Sequence, residues 1–441
     1  MGRTYNFVPA TSLDYRRLAE QRLPRFLFDY IEGGANDELT LRRNVEDFQS
    51  IRVRQHVMRD VSDIDTSTTL LGETVAMPVV LAPVGMAGLY SRRGELQAMR
   101  ASDMAGIPFT LSTLGICSLE ELRAQAKKPF WFQQYMIRDR EAVRRILERA
   151  MANGCTTLIF TVDMPVAGMR YRDTRNGMLT DDVGSRLGRA WQLGQRPRWL
   201  YDVGVRGKPH TFGSISDQVS DPTNTRAVKA WVDSQYDPAV TWADIAWLRG
   251  IWQGKLVIKG ILEADDARAA LDAGADGVVI SNHGGRQLDS VASTISKLPA
   301  VIEAVGGRID VFMDGGVRGG MDGWRAVAHV RPNTGPMVFY DDIVGSSSSR
   351  SRASMLDEAA RSRRLVAKPV PTIREDMSIR EDAVPVVRGG RAIAVVTRHA
   401  NLTGGRTPSR LELTYRDLAD SIMRMVAAGE FPSTSSPTGM R

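Results

Sequence analysis

Cysteine is scarce, long apolar runs are missing, and no long block of single-sign charge occurs. Cys117 and Cys155 are the only cysteines in 441 residues, too few for a disulfide framework, so a reducing compartment is expected. The longest nearly uncharged stretch, Val75 to Tyr90, holds two prolines and is shorter than a bilayer-spanning helix. The first residues, MGRTYNFVPATSLDYRRLAEQR, lack the apolar core of a secretory signal. An integral membrane protein is therefore not expected, whereas a surface-bound one remains open. Residues 323–441 carry 18 basic against 12 acidic side chains, which leaves 40 against 39 for the rest of the chain. The excess is mixed among acids and not clustered, so no nucleic-acid partner is expected, and neither is a metal site. With 43% hydrophobic and 25% charged residues the chain is ordinary globular material. Its length suits one large domain and a smaller one.

What is present is a rhythm. Apolar runs at 77–85, 107–115, 130–136, 156–165, 256–261, 276–285 and 309–316 alternate with amphipathic stretches such as REAVRRILERAMANG (140–154) and EADDARAALDAGA (263–275). Such alternation predicts an α/β fold with a parallel sheet. Each run ends in polar or Gly-rich residues: APVG, STLG, QQY, TVD, KG, SNHGGR, DGGVR. In a (β/α)8 TIM barrel the chemistry sits at the C-terminal strand ends. A doubly wound sheet is the runner-up, but no G-x-G-x-x-G follows the first run. A barrel with seven recognisable strands is the expectation. Residues 178–240, polar and containing Trp191, Trp199 and Trp231, with Trp242 just beyond, interrupt the alternation and are too long for a plain connector. Past Asp322 the alternation stops. WRAVAHV and AIAVVTRH look like strands, SRLELTYRDLADSIMRMVAAG like a long helix, and SSSSRSRAS like a linker. The expected boundary divides 1–322 from 323–441.

The densest chemistry lies in Ser281-Asn282-His283-Gly284-Gly285-Arg286-Gln287-Leu288-Asp289. A histidine at the end of a buried strand can accept a proton near neutral pH. An arginine three residues on offers a fork that matches a carboxylate. The two glycines would let the backbone pass close to a flat ligand. A lone histidine there would more often be a simple strand end; the whole nonapeptide favours a site.

This string, together with LRRNVEDF, LAPVGMAGLYSRRGE, IPFTLST, TVDMPVAGMRYRD and VIKGIL, resembles the FMN-dependent L-2-hydroxy-acid dehydrogenase and oxidase family over residues 8–322. Within that family the look is most similar to its bacterial L-lactate dehydrogenases. The resemblance implies FMN as cofactor and an L-2-hydroxy acid, lactate foremost, as substrate. It implies His283 as the base, with Asp163 orienting its imidazole. Tyr30 and Arg286 would bind the substrate carboxylate, Tyr135 its hydroxyl, and Arg170 would stand beside it. Ala82, Pro83 and Val84 would line the flavin, while Ser112, Gln133, Thr161 and Ser281 would meet its polar edge. Lys259 would supply a cation near the pyrimidine end, and Asp314, Gly315, Gly316 and Arg318 would reach the ribityl chain and phosphate. Electrons would pass to a quinone or another acceptor. The 178–240 excursion would contact a membrane surface or act as a lid, on a cytoplasmic protein or one held at the inner face of the cell membrane. A homo-oligomer is a further implication.

After DGGVR the family pattern would continue to an eighth strand ending in Gly-Arg, which is missing here; Gly390-Arg391 lies too far along the chain to serve. Instead AHVRPNTGP, AIAVVTRHANL and SRLELTYRDLADSIMRMVAAGEFP resemble the GAF-like sensor region of actinobacterial two-component histidine kinases, over residues 323–435. A barrel short of one strand would expose two sheet edges, unless WRAVAHV or PMVFYDD substitutes. The alternative function is an inert fusion whose GAF-like part is a ligand-sensing remnant.

Overall fold

The computed structural model describes residues 9–53, 57–58, 65–178, 180, 182–222 and 225–329, with the strands at 337–341, 384–388 and 391–396. Three helices, Ser12–Arg22, Arg25–Glu32 and Leu39–Ser50, precede a small hairpin of β1 (Thr68–Leu70) and β2 (Glu73–Val75). The seven expected strands follow as β3 (Val79–Leu81), β4 (Thr110–Ser112), β5 (Trp131–Tyr135), β6 (Thr157–Thr161), β7 (Lys255–Ile261), β8 (Gly277–Ile280) and β9 (Asp310–Met313). All neighbours from β4 to β9 pair in parallel. The two helices expected between them form as Arg140–Ala152 and Ala264–Asp272. Asp139 caps the first by accepting from Ala142 N at 3.0 Å, which satisfies one of the amides a helix start leaves open.

The place of an eighth strand is taken by β10 (Met337–Asp341), which runs parallel to β9 on one side and to β3 on the other. On the far side β3 meets β4 through a parallel bridge between Leu81 and Phe109, and Leu81 N donates to Pro108 O at 2.9 Å. The two open edges expected from a seven-strand count are thus both paired, by a strand that ends in Tyr340-Asp341 and not in Gly-Arg. Of the two candidate substitutes, PMVFYDD is the strand and WRAVAHV is not. Its residues 324–329 lie in the helix Gly320–His329, which runs across the expected 322/323 division. There Asp322 accepts from Arg318 N at 2.8 Å and pairs with Arg325 one turn on, also at 2.8 Å. A seven-residue apolar run carries too few repeats to separate the two periods, so local pairs of this kind decide. AIAVVTRH does contain a strand: β12 (Arg391–Val396) pairs antiparallel with β11 (Val384–Arg388), outside the barrel sheet. Arg391 therefore starts a hairpin strand and does not end a barrel strand. The SSSSRSRAS segment and the long C-terminal helix expected at 409–429 lie outside the described residues.

Strand alternation organises the interior. Side chains two apart share a face, and Val80, Trp131, Ile159, Val257, Val279 and Phe312 form one inner cluster with Leu70, Leu71 and Val75 of the hairpin. Trp131 meets Phe312 edge to face at 5.9 Å. The intervening residues, among them Phe132, Leu158, Phe160, Ile258, Val278 and Ile280, belong to the outer layer with the helices. Two positions beyond each inner apolar residue, toward the C-terminal end, stand Ala82, Gln133, Thr161, Lys259, Ser281 and Asp314. An apolar floor under a polar rim follows directly from that period.

The excursion is helical: Val183–Gly194, Pro197–Trp199 running into a π-helical turn Leu200–Val205, and Thr225–Gln235. Its tryptophans divide. Trp191 is 70% exposed, whereas Trp199 is buried and donates from Nε1 to Leu89 O at 2.8 Å. Trp199 therefore ties the excursion to the barrel and takes no part in a surface contact. Trp231 is half-buried against the core. No helix among the described residues is long and apolar enough to cross a membrane.

Candidate active site

The inward residues at the rim are joined into a belt. Ser112 Oγ donates to Gln133 Oε1 at 3.1 Å, and Gln133 Nε2 donates to Thr161 Oγ1 at 3.0 Å. Thr161 pairs in register with Lys259 on β7. Lys259 Nζ donates to Ser281 Oγ at 2.8 Å and stands 2.6 Å from Asp314 Oδ2. All six side chains are buried. Buried polar groups keep their place only when bonded, so the belt is a preorganised polar edge and its ion pair a fixed charge.

Beyond it lies a carboxylate–imidazole pair. Asp163 Oδ1 is 2.9 Å from His283 Nδ1. Burial acts to raise the Asp163 pKa, but the His283 hydrogen bond and charge, helped by Lys259, hold it below the ordinary carboxylate value. The contact holds Nδ1 against the Asp163 carboxylate and leaves Nε2 as the ring nitrogen turned away from it. His283 has a left-handed φ of 57°, and its backbone amide donates to Ser281 Oγ at 3.0 Å. A positive φ at a residue with a Cβ is strained and marks a constrained position. Tyr135 lies nearly parallel to the imidazole, ring centres 6.5 Å apart. Burial pushes its phenol pKa far up, so it is a neutral donor.

A third group gathers cations on one ring. The guanidinium of Arg170 lies 4.8 Å, and that of Arg286 5.2 Å, from the centre of the Tyr30 ring. Arg170 is held by buried Asp173, Nε to Oδ2 at 2.7 Å. Arg286 Nη1 donates to Ile31 O at 3.0 Å and Gly33 O at 2.7 Å, so Arg286 itself positions the helix end that carries Tyr30. Two arginines over one ring, one of them paired with Asp173, are a candidate locus for an anion.

Of the two glycines of SNHGGR, Gly285 has a packing role. Gly285 has φ 74°, and a Cβ there would lie 2.5 Å from Leu41 N. It admits the helix Leu39–Ser50. The same helix explains LRRNVEDF: Asn44 and Asn282 exchange amide hydrogen bonds, both 2.8 Å. At Gly316 a Cβ would lie 1.9 Å from Asn44 O. One asparagine thus seats two Gly-rich loops.

The sequence profile described as FMN-dependent dehydrogenase matches residues 19–329. The chain belongs to the FMN-dependent dehydrogenase family. Relatives in that family include an L-lactate dehydrogenase of Stenotrophomonas maltophilia (strain K279a), 52% identical over 319 residues, which are 72% of this chain and 84% of the relative. An L-lactate dehydrogenase of Alcaligenes faecalis is 50% identical over the same shares. Among solved structures, the monotopic membrane protein (S)-mandelate dehydrogenase superposes with TM-score 0.71 at 32% identity, covering 82% of this chain and 96% of that one. A mandelate oxidase in complex with (S)-2-phenylpropionate gives 0.64 at 31%, covering 82% and 93%. A second profile, the GAF domain of the histidine kinase PdtaS, matches residues 302–419. That match includes β10, so this FMN-dependent dehydrogenase takes its eighth strand from the GAF-like part.

FMN is the cofactor of the family, and the residues present fit it. Lys259 is a buried cation, Asp314 Oδ1 is buried without a hydrogen-bond partner among the described residues, and Gly315, at φ 82°, opens the backbone beside it. Ala82 is buried, Pro83 and Val84 half-buried, and Arg318 exposed at the end of the Asp314–Gly316 turn. The structure thus brings Gln133, Thr161, Lys259, Ser281 and Asp314 together at the strand ends with Ser112, and gathers Tyr30, Arg170 and Arg286 in a second group. Sequence reasoning missed Tyr236, Asn44, Asn282 and Asp173. Tyr236 closes a cavity over Tyr135 with Met164 and Trp231. Burial raises its phenol pKa, and Tyr30, Asp233 and Arg170 act on it as well. No local signal marks Tyr236; Asn44, inside a motif that carries the resemblance, could have been found there.

Proposed function

We propose that the chain oxidises an L-2-hydroxy acid, L-lactate in the first place, to the 2-oxo acid. The observation that carries this reading is the Asp163–His283 pair facing a two-arginine anion locus across Tyr135. The lactate dehydrogenases at 50–52% identity favour lactate over mandelate. FMN, when bound, supplies the two-electron acceptor. Ser112, Gln133, Thr161, Ser281 and Lys259 would hold its polar edge, and Ala82, Pro83 and Val84 its face. Asp314, Gly315, Gly316 and Arg318 would meet the ribityl chain and phosphate. Arg286, Arg170 and Tyr30 hold the substrate carboxylate, and Tyr135 donates to the substrate hydroxyl. His283 Nε2 takes the hydroxyl proton, and ionised Asp163 stabilises the imidazolium so formed.

The test is an anaerobic visible spectrum of the FMN-loaded chain before and after L-lactate. Bleaching of a protein-bound flavin band is expected. Retained flavin that no 2-hydroxy acid bleaches overturns the reading and leaves the GAF-like part as the place to seek a function.

Beside the division at 322/323, which falls inside the helix Gly320–His329, we propose a peripheral membrane location at the inner face, with a quinone as acceptor. Support comes from the helix Val183–Gly194, where Val183, Leu187 and Trp191 form an exposed apolar stripe beside Arg186 and Arg189, continued by exposed Tyr201 and Val205. Such a face suits an anionic bilayer interface. Replacing both Leu187 and Trp191 by serine is expected to weaken sedimentation with anionic phospholipid vesicles about tenfold or more, with flavin bleaching unchanged. Equal sedimentation of both proteins would sink the membrane assignment.

A further inference from the structure

The turn Gly34-Ala35-Asn36-Asp37-Glu38 lies between the helix Arg25–Glu32, which carries Tyr30, and the helix Leu39–Ser50. Asn36 and Glu38 hold left-handed φ values of 43° and 61°. That conformation costs a residue with a Cβ and persists only where its surroundings enforce it. The contacts of the turn supply the enforcement. Asn36 N donates to Met169 O at 2.9 Å and Asn36 Nδ2 to the Tyr171 hydroxyl at 3.2 Å. Glu38 Oε2 accepts from Arg172 Nη2 at 2.5 Å, and Ala35 N donates to Gly285 O at 2.8 Å. The turn therefore grips the chain on both sides of Arg170 and the residue before Arg286.

Glu38 is placed where a side chain ordinarily caps a helix, yet it makes no capping bond. Asp289 does so instead, accepting from Thr40 N at 2.8 Å. The Glu38 carboxylate turns back: Oε1 accepts from Gly34 N at 3.0 Å while Oε2 holds Arg172. One side chain, 15% exposed, thus links the end of the Tyr30 helix to the helix Tyr171–Arg175, which follows Arg170 directly. Arg286 holds the carbonyls of that same helix end, at Ile31 and Gly33. Charge-assisted bonds at both carboxylate oxygens fix two segments at once.

We infer that Glu38 is a positioning residue whose link between Gly34 and Arg172 sets where Arg170 stands over the Tyr30 ring, and with it the width of the substrate-carboxylate site. This rests on the reading of Tyr30, Arg170 and Arg286 as that site. The two helices keep a second tie, from Asn176 Nδ2 to Asp29 Oδ2 at 3.3 Å. Loss of Glu38 therefore misaligns the site and leaves the helices docked.

Glu38→Ala and Arg172→Ala cut the link from opposite ends, and retained FMN checks that the barrel is formed. In anaerobic flavin bleaching, each variant is expected to need about tenfold more L-lactate for half-maximal rate, the scale of a sub-ångström misplacement. The limiting rate should stay within about threefold, because Asp163 holds His283 independently. The double variant should match the singles, since two residues that act through one contact do not add. Additive effects overturn the inference, because Arg172 would then meet the substrate by itself. An acid with a structural role alone lowers the melting temperature and leaves the half-saturating lactate concentration unchanged, which overturns it too. Should Glu38→Ala lose FMN, Glu38→Gln, which can still accept from Gly34 N, takes its place in the cycle. A wild-type protein that no 2-hydroxy acid bleaches overturns the functional reading and this inference together, whereas wild-type bleaching with unchanged half-saturation in the variants overturns this inference alone.

Discussion

Replacing His283 by alanine is expected to slow flavin bleaching by L-lactate about 10²- to 10⁴-fold, the usual worth of a positioned base, while FMN stays bound. The flavin belt and the base are separate sets of side chains: His283 touches the belt only through its backbone amide on Ser281. Removing the imidazole takes away the proton acceptor and leaves Asp163 an ionised carboxylate with one partner fewer. Added imidazole should restore part of the rate in the alanine variant, since the space vacated adjoins the anchoring Asp163 Oδ1. Single-turnover stopped-flow absorbance measures both. A variant that bleaches within tenfold of the wild type would remove His283 from the mechanism.

Lys259→Met carries the second large effect, on stability as much as on cofactor binding. Lys259 and Asp314 are among the most buried charges described, side chains 7% and 0% exposed, 2.6 Å apart. Deleting one partner leaves the other charge uncompensated in the interior, which costs about 3–5 kcal/mol. Deleting both costs less, because the orphaned charge goes too. Urea unfolding of the FMN-free protein should therefore rank wild type above Lys259→Met/Asp314→Asn and the double variant above Lys259→Met alone. FMN retention on gel filtration should be lost in Lys259→Met, since the belt then has no cation. An unchanged urea midpoint in the single variant would show that the ion pair does not hold the rim together.

Much of the site was legible because neighbours in sequence encode it. TVD, VIKG, SNHGGR and DGGVR each end a strand, and period-two alternation places Thr161, Lys259, Ser281 and Asp314 above inward Ile159, Val257, Val279 and Phe312. Glu38 hid for a physical reason: within GGANDE it reads as one more solvated acid, and only its bonds to Gly34 and Arg172 set it apart. Trp199 misled in the opposite way. Flanked by arginines at 196 and 198, it suited bilayer contact or a lid equally, but its indole donates to the carbonyl of Leu89.

By itself the sequence determined seven barrel strands, the helices between them, a strand-end histidine with an arginine three residues on, and the change of character past residue 322. Each depends on periods of two to four residues or on caps and turns, which are local. Tertiary structure decided the rest: that β10 lies between β3 and β9, that Gly285 serves the helix Leu39–Ser50, and that Tyr30, Arg170, Tyr236 and Arg286 converge. Those outcomes join segments as far apart in the chain as β3 and β10. Local chemistry selects the elements, but which unpaired edge meets which strand, and which guanidinium meets which ring, is settled only when the sheet curls and every inward residue competes for the same rim.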